Sequence, residues 1–302
     1  MLDTVIIGAG IAGCTAAIYA SRKRMDFVLL TKSFGGQFYE SGEILNYPGI
    51  KKTDGADFSK KMKKQLEFND VEIKEGVTCK GIKKRESYFT VETDKGDHNT
   101  KTVIICTGAK PRKLDVSGEK RYAKKGVHYC SVCDGPLYKD KDVAVIGGGD
   151  SALEAVDFMS KIAKKIWLVN IRSKLTGHEY LQENLKKMDN VEVINDAETT
   201  GISGNKTVSA LEYKKKGEKK KISLDGVFIE IGRVPNTGFA ENFLQMDEHG
   251  HIQIDCATRT SMDGVFAAGD CASGHEYQYV IAAGQGCMAL LKAARYLAKK
   301  QD

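Results

Sequence analysis

Two strand, glycine-turn, helix, strand units, one opening at Thr4 and one at Asp142, predict an α/β fold with two Rossmann-like dinucleotide-binding modules. The length supports the same reading. A chain of 302 residues, 41% hydrophobic and 28% charged, has ordinary globular composition and room for about two domains, each with its own core.

In the first unit Thr4-Val5-Ile6-Ile7 is a short β-branched run, and Gly8-Ala9-Gly10-Ile11-Ala12-Gly13 follows at once. Cys14 to Ser21 reads as helix and Phe27-Val28-Leu29-Leu30 as the next strand, so the two strands run parallel through a right-handed crossover. In such a turn Gly8 makes the bend, Gly10 lets the backbone approach a pyrophosphate, and Gly13 lets helix pack on strand. The helix N-terminus adds unpaired N–H groups and the positive end of its dipole. A tight turn without ligand is the plain structural alternative. The second strand ends in Thr31-Lys32, where an acidic residue usually holds a ribose hydroxyl.

The second unit repeats the pattern. Asp142 to Ile146 is the strand, Gly147-Gly148-Gly149-Asp150-Ser151-Ala152 the turn, and the helix continues to about Lys161 before Ile166-Trp167-Leu168-Val169. Further on come the apolar run Gly226 to Gly232, then Gly264-Val265-Phe266-Ala267-Ala268-Gly269-Asp270, then a long helix from about Gly284 to Lys299.

Eight cysteines are too few for a secreted disulfide scaffold. Cys14, Cys79, Cys106, Cys256, Cys271 and Cys287 stand singly among small or apolar residues, and most such cysteines are small buried hydrophobes. Cys130-Ser131-Val132-Cys133-Asp134 is different. Two cysteines with two residues between them can close a reducible disulfide and exchange it with another, and Asp134 is placed to shuttle the proton. Half a zinc site is the alternative. It needs a second Cys or His pair, and Cys256 and Cys271 lack that spacing, so no metal set is assigned.

The formal net charge is +6, with clusters at Lys110 to Lys125 and at Lys214-Lys215-Lys216 with Lys219-Lys220-Lys221. The second cluster reads as a solvated hairpin turn, or as a docking surface for an acidic partner. No nucleic-acid motif accompanies the lysines. No stretch approaches the roughly 20 apolar residues of a membrane span, and Met1-Leu2-Asp3-Thr4 carries no signal-peptide pattern, so a soluble cytoplasmic protein is expected.

Taken in order, Gly8-Ala9-Gly10, Gly35-Gly36-Gln37, Asn46-Tyr47-Pro48-Gly49, Cys106-Thr107-Gly108, Cys130 to Gly135, Gly147 to Ala152, Gly232 to Thr237 and Ala267 to Asp270 resemble the low-molecular-weight thioredoxin reductases. The resemblance covers essentially the whole chain. It implies that the second module is inserted into the first, with residues 1–112 and 240–302 as an FAD domain and 113–239 as the domain carrying the cysteine pair. It implies FAD at Gly8, Gly10, Gly13, Gly35, Gly36, Gln37, Asn46, Thr107, Gly108, Asp270, Gln278 and Tyr279. Cys133 would face the flavin, Cys130 would attack the thioredoxin disulfide, and the chain would form homodimers whose inserted domain rotates.

The donor site departs from that family. NADPH-using members carry a His-Arg-Arg-x-x-x-Arg signature at the second module's strand end, and here the stretch is Asn170-Ile171-Arg172-Ser173-Lys174-Leu175-Thr176. Asn170 can accept a hydrogen bond but supplies no charge. The Arg-Gln-Ala expected near the flavin reads Tyr277-Gln278-Tyr279. The expected protein is therefore an FAD-dependent thioredoxin-disulfide reductase whose donor is not NADPH. Gly147, Gly149, Ser151, Ala152, Asn170 and Arg172 are a second nucleotide site open to NADH, with a ferredoxin-fed enzyme as the alternative. A flavin- or metal-binding redox sensor is a further rival. A peroxide-defence flavoprotein reductase is another, and it would carry a thioredoxin-like domain ahead of the first strand.

Overall fold

The uninterrupted apolar runs Val5-Ile6-Ile7 and Val143-Ala144-Val145-Ile146 become central strands of two parallel sheets, because a strand covered on both faces has no polar side to show. The computed structural model describes residues 1–41, 43–44, 46–274 and 277–299, with the side chains of Glu40, Glu43 and Cys133 also outside the description. The chain forms two units, residues 1–110 with 234–302, and residues 111–233. The fold is α/β with two Rossmann-like modules, the second inserted into the first.

In the first unit the parallel order is Ile73–Glu75, Phe27–Thr31, Leu2–Ile7, His98–Ile105. The long strand His98–Ile105 divides its outer edge. Val265–Ala267 runs parallel to its C-terminal half, and Phe89–Thr93 runs antiparallel to its N-terminal half. The returning segment thus ends beside the first glycine turn. Helix Ile11–Arg22 packs on the last helix, Tyr279–Lys299. That helix starts five residues before the Gly284 expected from sequence. Its glycines are interior and one is a packing device, since a Cβ on Gly286 would lie 2.1 Å from the Ala12 carbonyl oxygen.

The second unit holds a parallel sheet in the order Val127–His128, Gly226–Ile229, Asp142–Ile146, Lys165–Val169, Val191–Ile194. An antiparallel sheet of Ala197–Gly204, Val208–Lys215 and Glu218–Ser223 accompanies it. The lysine run is the tip of its second hairpin, with Lys216 and Gly217 both at positive φ and Lys214, Lys216 and Lys219 to Lys221 exposed. Among the described residues no helix is long and apolar enough to cross a membrane.

Cys14, Cys106 and Cys271 are buried, and burial pushes the Cys14 thiol up to about 12. Cys79 and Cys287 are half-buried, whereas Cys256 is exposed. Cys256 lies on a turn directly after exposed Asp255.

Candidate functional site

The strand Val127–His128 delivers the chain to Tyr129 and Cys130, and Ser131–Asp134 closes one helical turn in which the Asp134 N–H donates to the Cys130 carbonyl at 3.2 Å. Cys130 is disulfide-bonded. The Cys133 side chain lies outside the described residues. Buried Glu119 anchors the approach, because its carboxylate accepts from the Leu114 and Asp115 N–H groups and from the Tyr129 hydroxyl.

Two groups that the sequence reading passed over stand against this turn. His128 Nδ1 lies 2.8 Å from an Asp134 carboxylate oxygen, with the ring buried. Glu230 Oε1 accepts from the Ser131 N–H at 3.3 Å. Burial is the main cause that pushes the Glu230 carboxyl up to about 7. An acidic residue inside the apolar run Val227-Phe228-Ile229-Glu230-Ile231 was a visible signal for it.

A carboxyl raised from 4.5 to about 7 on folding binds its proton more tightly in the native state. Its stabilising contribution is complete below the unfolded value and lost as pH rises through the folded one. Glu230→Gln should therefore match the wild type below pH 4.5 and exceed it above pH 7, by about 3 kcal/mol from the linkage relation. Urea melts at both ends of that window check this, and equal stability at pH 8 refutes it.

The first glycine turn differs in kind from its surroundings. A Cβ on Gly8, at φ +103°, would lie 2.3 Å from the Cys106 carbonyl oxygen, and one on Gly13 would lie 1.7 Å from that of Gly8. These two glycines answer to the protein's own packing. A Cβ on Gly10 would meet nothing within 4 Å, so no neighbour in the chain calls for glycine there. Its bareness fits a pyrophosphate passing over the start of helix Ile11–Arg22.

Several of the other residues expected at FAD lie against this turn. The Gly35 N–H donates to the Ala9 carbonyl, and a Cβ on Gly36 would lie 3.8 Å from Gly10 Cα. Thr107 and Gly108 follow the Cys106 carbonyl, and Gly269, just before Asp270, packs on Ala12. Gln37 Nε2 donates to the Ala109 carbonyl at 3.2 Å. Asn46 Nδ2 donates to Gln278 Oε1 at 3.2 Å, and the Tyr279 hydroxyl meets Ser41 Oγ and the Gln37 carbonyl. Tyr277, where the family pattern has arginine, bonds through its hydroxyl to buried His251 at 2.8 Å.

Gly10→Val should leave the fold intact and weaken FAD uptake by roughly a hundredfold, about 2.7 kcal/mol. Gly8→Ala should destabilise the apoprotein, because its φ suits glycine. Circular dichroism and flavin titration of the two variants separate the effects. Full FAD uptake by Gly10→Val would refute the assignment.

The second turn keeps its packing glycine, since a Cβ on Gly147 would lie 2.2 Å from the Glu230 carbonyl oxygen. Gly149 meets only the Thr176 hydroxyl at 3.8 Å, Ser151 is exposed, and Ala152 is fully buried. Asn170 does accept a hydrogen bond, but from its own loop. It is buried, its Nδ2 donates to the Arg172 and Lys174 carbonyls and to Asn195 Oδ1, and its Oδ1 accepts from the Arg172 N–H. A Cβ on Gly148 would lie 2.4 Å from that Oδ1. Arg172 is exposed, and Thr176 turns back through its N–H and hydroxyl to the Gly148 carbonyl.

A family model described as pyridine nucleotide-disulphide oxidoreductase matches residues 2–286. An alkyl hydroperoxide reductase component of Staphylococcus epidermidis is 38% identical over 299 residues, covering 98% of this chain and 59% of that protein. The NADH dehydrogenase of Bacillus subtilis is 37% identical over 298 residues, covering 98% and 58%. The chain thus spans less than two thirds of the length of these curated relatives. The crystal structure of Lactococcus lactis thioredoxin reductase aligns with a TM-score of 0.84 at 35% identity, covering 99% of this chain and 100% of that one.

Proposed function

The chain belongs to the pyridine nucleotide-disulphide oxidoreductase family, and from there we propose that it is an FAD-dependent enzyme of the thioredoxin reductase type that reduces a thioredoxin-like protein disulfide through Cys130 and Cys133. The observation that carries this reading is disulfide-bonded Cys130 one helical turn from Asp134, on a segment held by Glu119 and Glu230. Bound FAD would supply the electron pair that opens that disulfide. Gly8, Gly10, Gly13, Gly35, Gly36, Gln37, Asn46, Thr107, Gly108, Asp270, Gln278 and Tyr279 would hold it. Asp134 takes the proton from the Cys130 thiol. The Cys130 thiolate attacks the acceptor disulfide, and the mixed disulfide is resolved by Cys133 with release of two acceptor thiols.

NADPH is not the donor in this reading. The strand-end loop commits Asn170 to its own backbone and offers Arg172 alone from the expected signature. The sterically open Gly149 keeps NADH as a donor. The loss of any acidic ribose acceptor favours the alternative, a small acidic electron carrier of the ferredoxin class delivering electrons without a nucleotide. Anaerobic reduction of the bound flavin by NADPH, NADH and reduced ferredoxin in parallel, followed by addition of oxidised thioredoxin, tests both parts. A flavin that is reduced by none of them, or a reduced enzyme that leaves thioredoxin oxidised, rejects the proposal.

A further inference from the structure

His128 is buried between two aromatic rings, Phe228 stacked at 5.3 Å and 27° and Tyr138 edge-on at 5.3 Å. Both ring nitrogens are engaged: Nδ1 lies 2.8 Å from Asp134 Oδ2, and Nε2 lies 2.8 Å from the Tyr138 hydroxyl. The chemistry assigns the proton. A carboxylate can only accept, so Nδ1 carries the hydrogen, and Nε2 then accepts from the tyrosine O–H. Tyr138 is suited to donate, because burial, then the charges of Asp134 and Asp225, push its hydroxyl up to about 12. The result is one directed chain, Tyr138 O–H to His128 to Asp134, ending on the turn that carries Cys130.

Asp134 has a side chain 38% exposed, and its backbone turn alone does not fix its rotamer. Proton transfer to a thiol requires a carboxylate held within hydrogen-bond reach, roughly 2.6–3.2 Å. We propose that His128 is a positioning residue for the thiol–disulfide step: its Nδ1–H pins the Asp134 carboxylate on the turn that carries Cys130, and the Tyr138 hydroxyl on Nε2 locks the ring in the tautomer that does so. The inference rests on the reading of Cys130 and Cys133 as the redox pair. In the step itself Asp134 takes the proton from the Cys130 thiol, the Cys130 thiolate displaces one sulfur of the acceptor disulfide, and that sulfur leaves with the proton from Asp134. His128 keeps its Nδ1 proton throughout and sets where the carboxylate stands.

Among the described residues, Asp134 from the redox turn and Tyr138 from the turn after it are the titratable groups facing the ring. Asp225 and Lys141 act on Tyr138, the latter lying over its ring at 5.3 Å.

Amide isosteres divide the two nitrogens. His128→Asn keeps a donor near the Nδ1 position, His128→Gln reaches instead toward Tyr138, and His128→Phe keeps only the packing. The FAD-loaded full chain is reduced anaerobically with dithionite. It is then mixed with 5,5′-dithiobis(2-nitrobenzoate) across pH 5.5–9, a probe range chosen around the ordinary histidine value. Thiol exchange is followed by stopped flow. The expected result is a loss of about tenfold or more in the maximal rate for His128→Phe and His128→Gln, with half-saturation unchanged and an altered pH profile. His128→Asn should recover to within about threefold. Equal rates for His128→Asn and His128→Gln, or a wild-type rate and profile in His128→Phe, overturn the proposal. If His128→Phe does not fold, the Asn and Gln pair decides alone. A wild-type enzyme inert toward both the probe and oxidised thioredoxin would instead reject the underlying assignment of the pair.

Discussion

Replacing Cys130 or Cys133 by serine should lower thioredoxin-disulfide turnover at least about a thousandfold, the scale on which loss of a nucleophile falls. The two losses should differ in kind. A serine hydroxyl neither ionises near neutral pH nor forms a disulfide, so either change leaves a single sulfur that can make a mixed disulfide but cannot close the exchange. In Cys130→Ser the flavin should still be reduced, but the remaining Cys133 thiol offers no disulfide for the electrons and no Cys130 thiolate is left to attack an external disulfide. Cys133→Ser should instead accumulate a Cys130 mixed disulfide with the acceptor, detectable by mass spectrometry. Flavin reduction by dithionite serves as the control in both. If either single variant kept wild-type turnover, the electrons would have to travel through another group. Buried Cys14, Cys106 and Cys271 cannot meet a protein partner, so exposed Cys256 would be the next thiol to test.

NADPH should reduce the bound flavin poorly, with apparent affinity roughly a hundredfold or more weaker than a site with the full arginine signature would give. A 2′-phosphate carries close to two negative charges and is usually gripped by two or three convergent cations. Ile171 and Thr176 take the places of two of them, and Asn170 that of a histidine. Each lost charge-assisted bond costs on the order of 1.5–3 kcal/mol. The fold removes the possible rescue, because the Asn170 amide is committed to Arg172, Lys174 and Asn195, and Thr176 to Gly148. Stopped-flow flavin reduction over a range of NADPH and NADH concentrations checks this. Rapid reduction at micromolar NADPH would refute it. Slow reduction by both nucleotides beside fast reduction by ferredoxin would select the carrier-fed alternative.

Much of this protein was legible in its residue order. The two glycine turns announce themselves because glycine is needed where φ is positive or a carbonyl sits in the place of a Cβ, and that demand is local: Gly8, Gly13 and Gly147 each meet it. The Cys-x-x-Cys pair is equally local, since two intervening residues decide whether two sulfurs can meet. The departures at Asn170 to Thr176 and Tyr277 were also visible, but only as missing charges. Tertiary structure decided what those replacements do, because hydrogen-bond capacity is taken up by whichever partners the fold brings near. Asn170 turns its amide onto its own loop, and Tyr277 meets His251. The same holds for His128, Tyr138 and Glu230. In sequence they are a histidine, a tyrosine and a glutamate without a motif. Glu230 reaches the redox turn because Val127–His128 pairs with Gly226–Ile229, which brings it within hydrogen-bond range of Ser131, 99 positions away, whereas His128 and Tyr138 meet across a local turn; burial then pushes both the Glu230 carboxyl and the Tyr138 hydroxyl up.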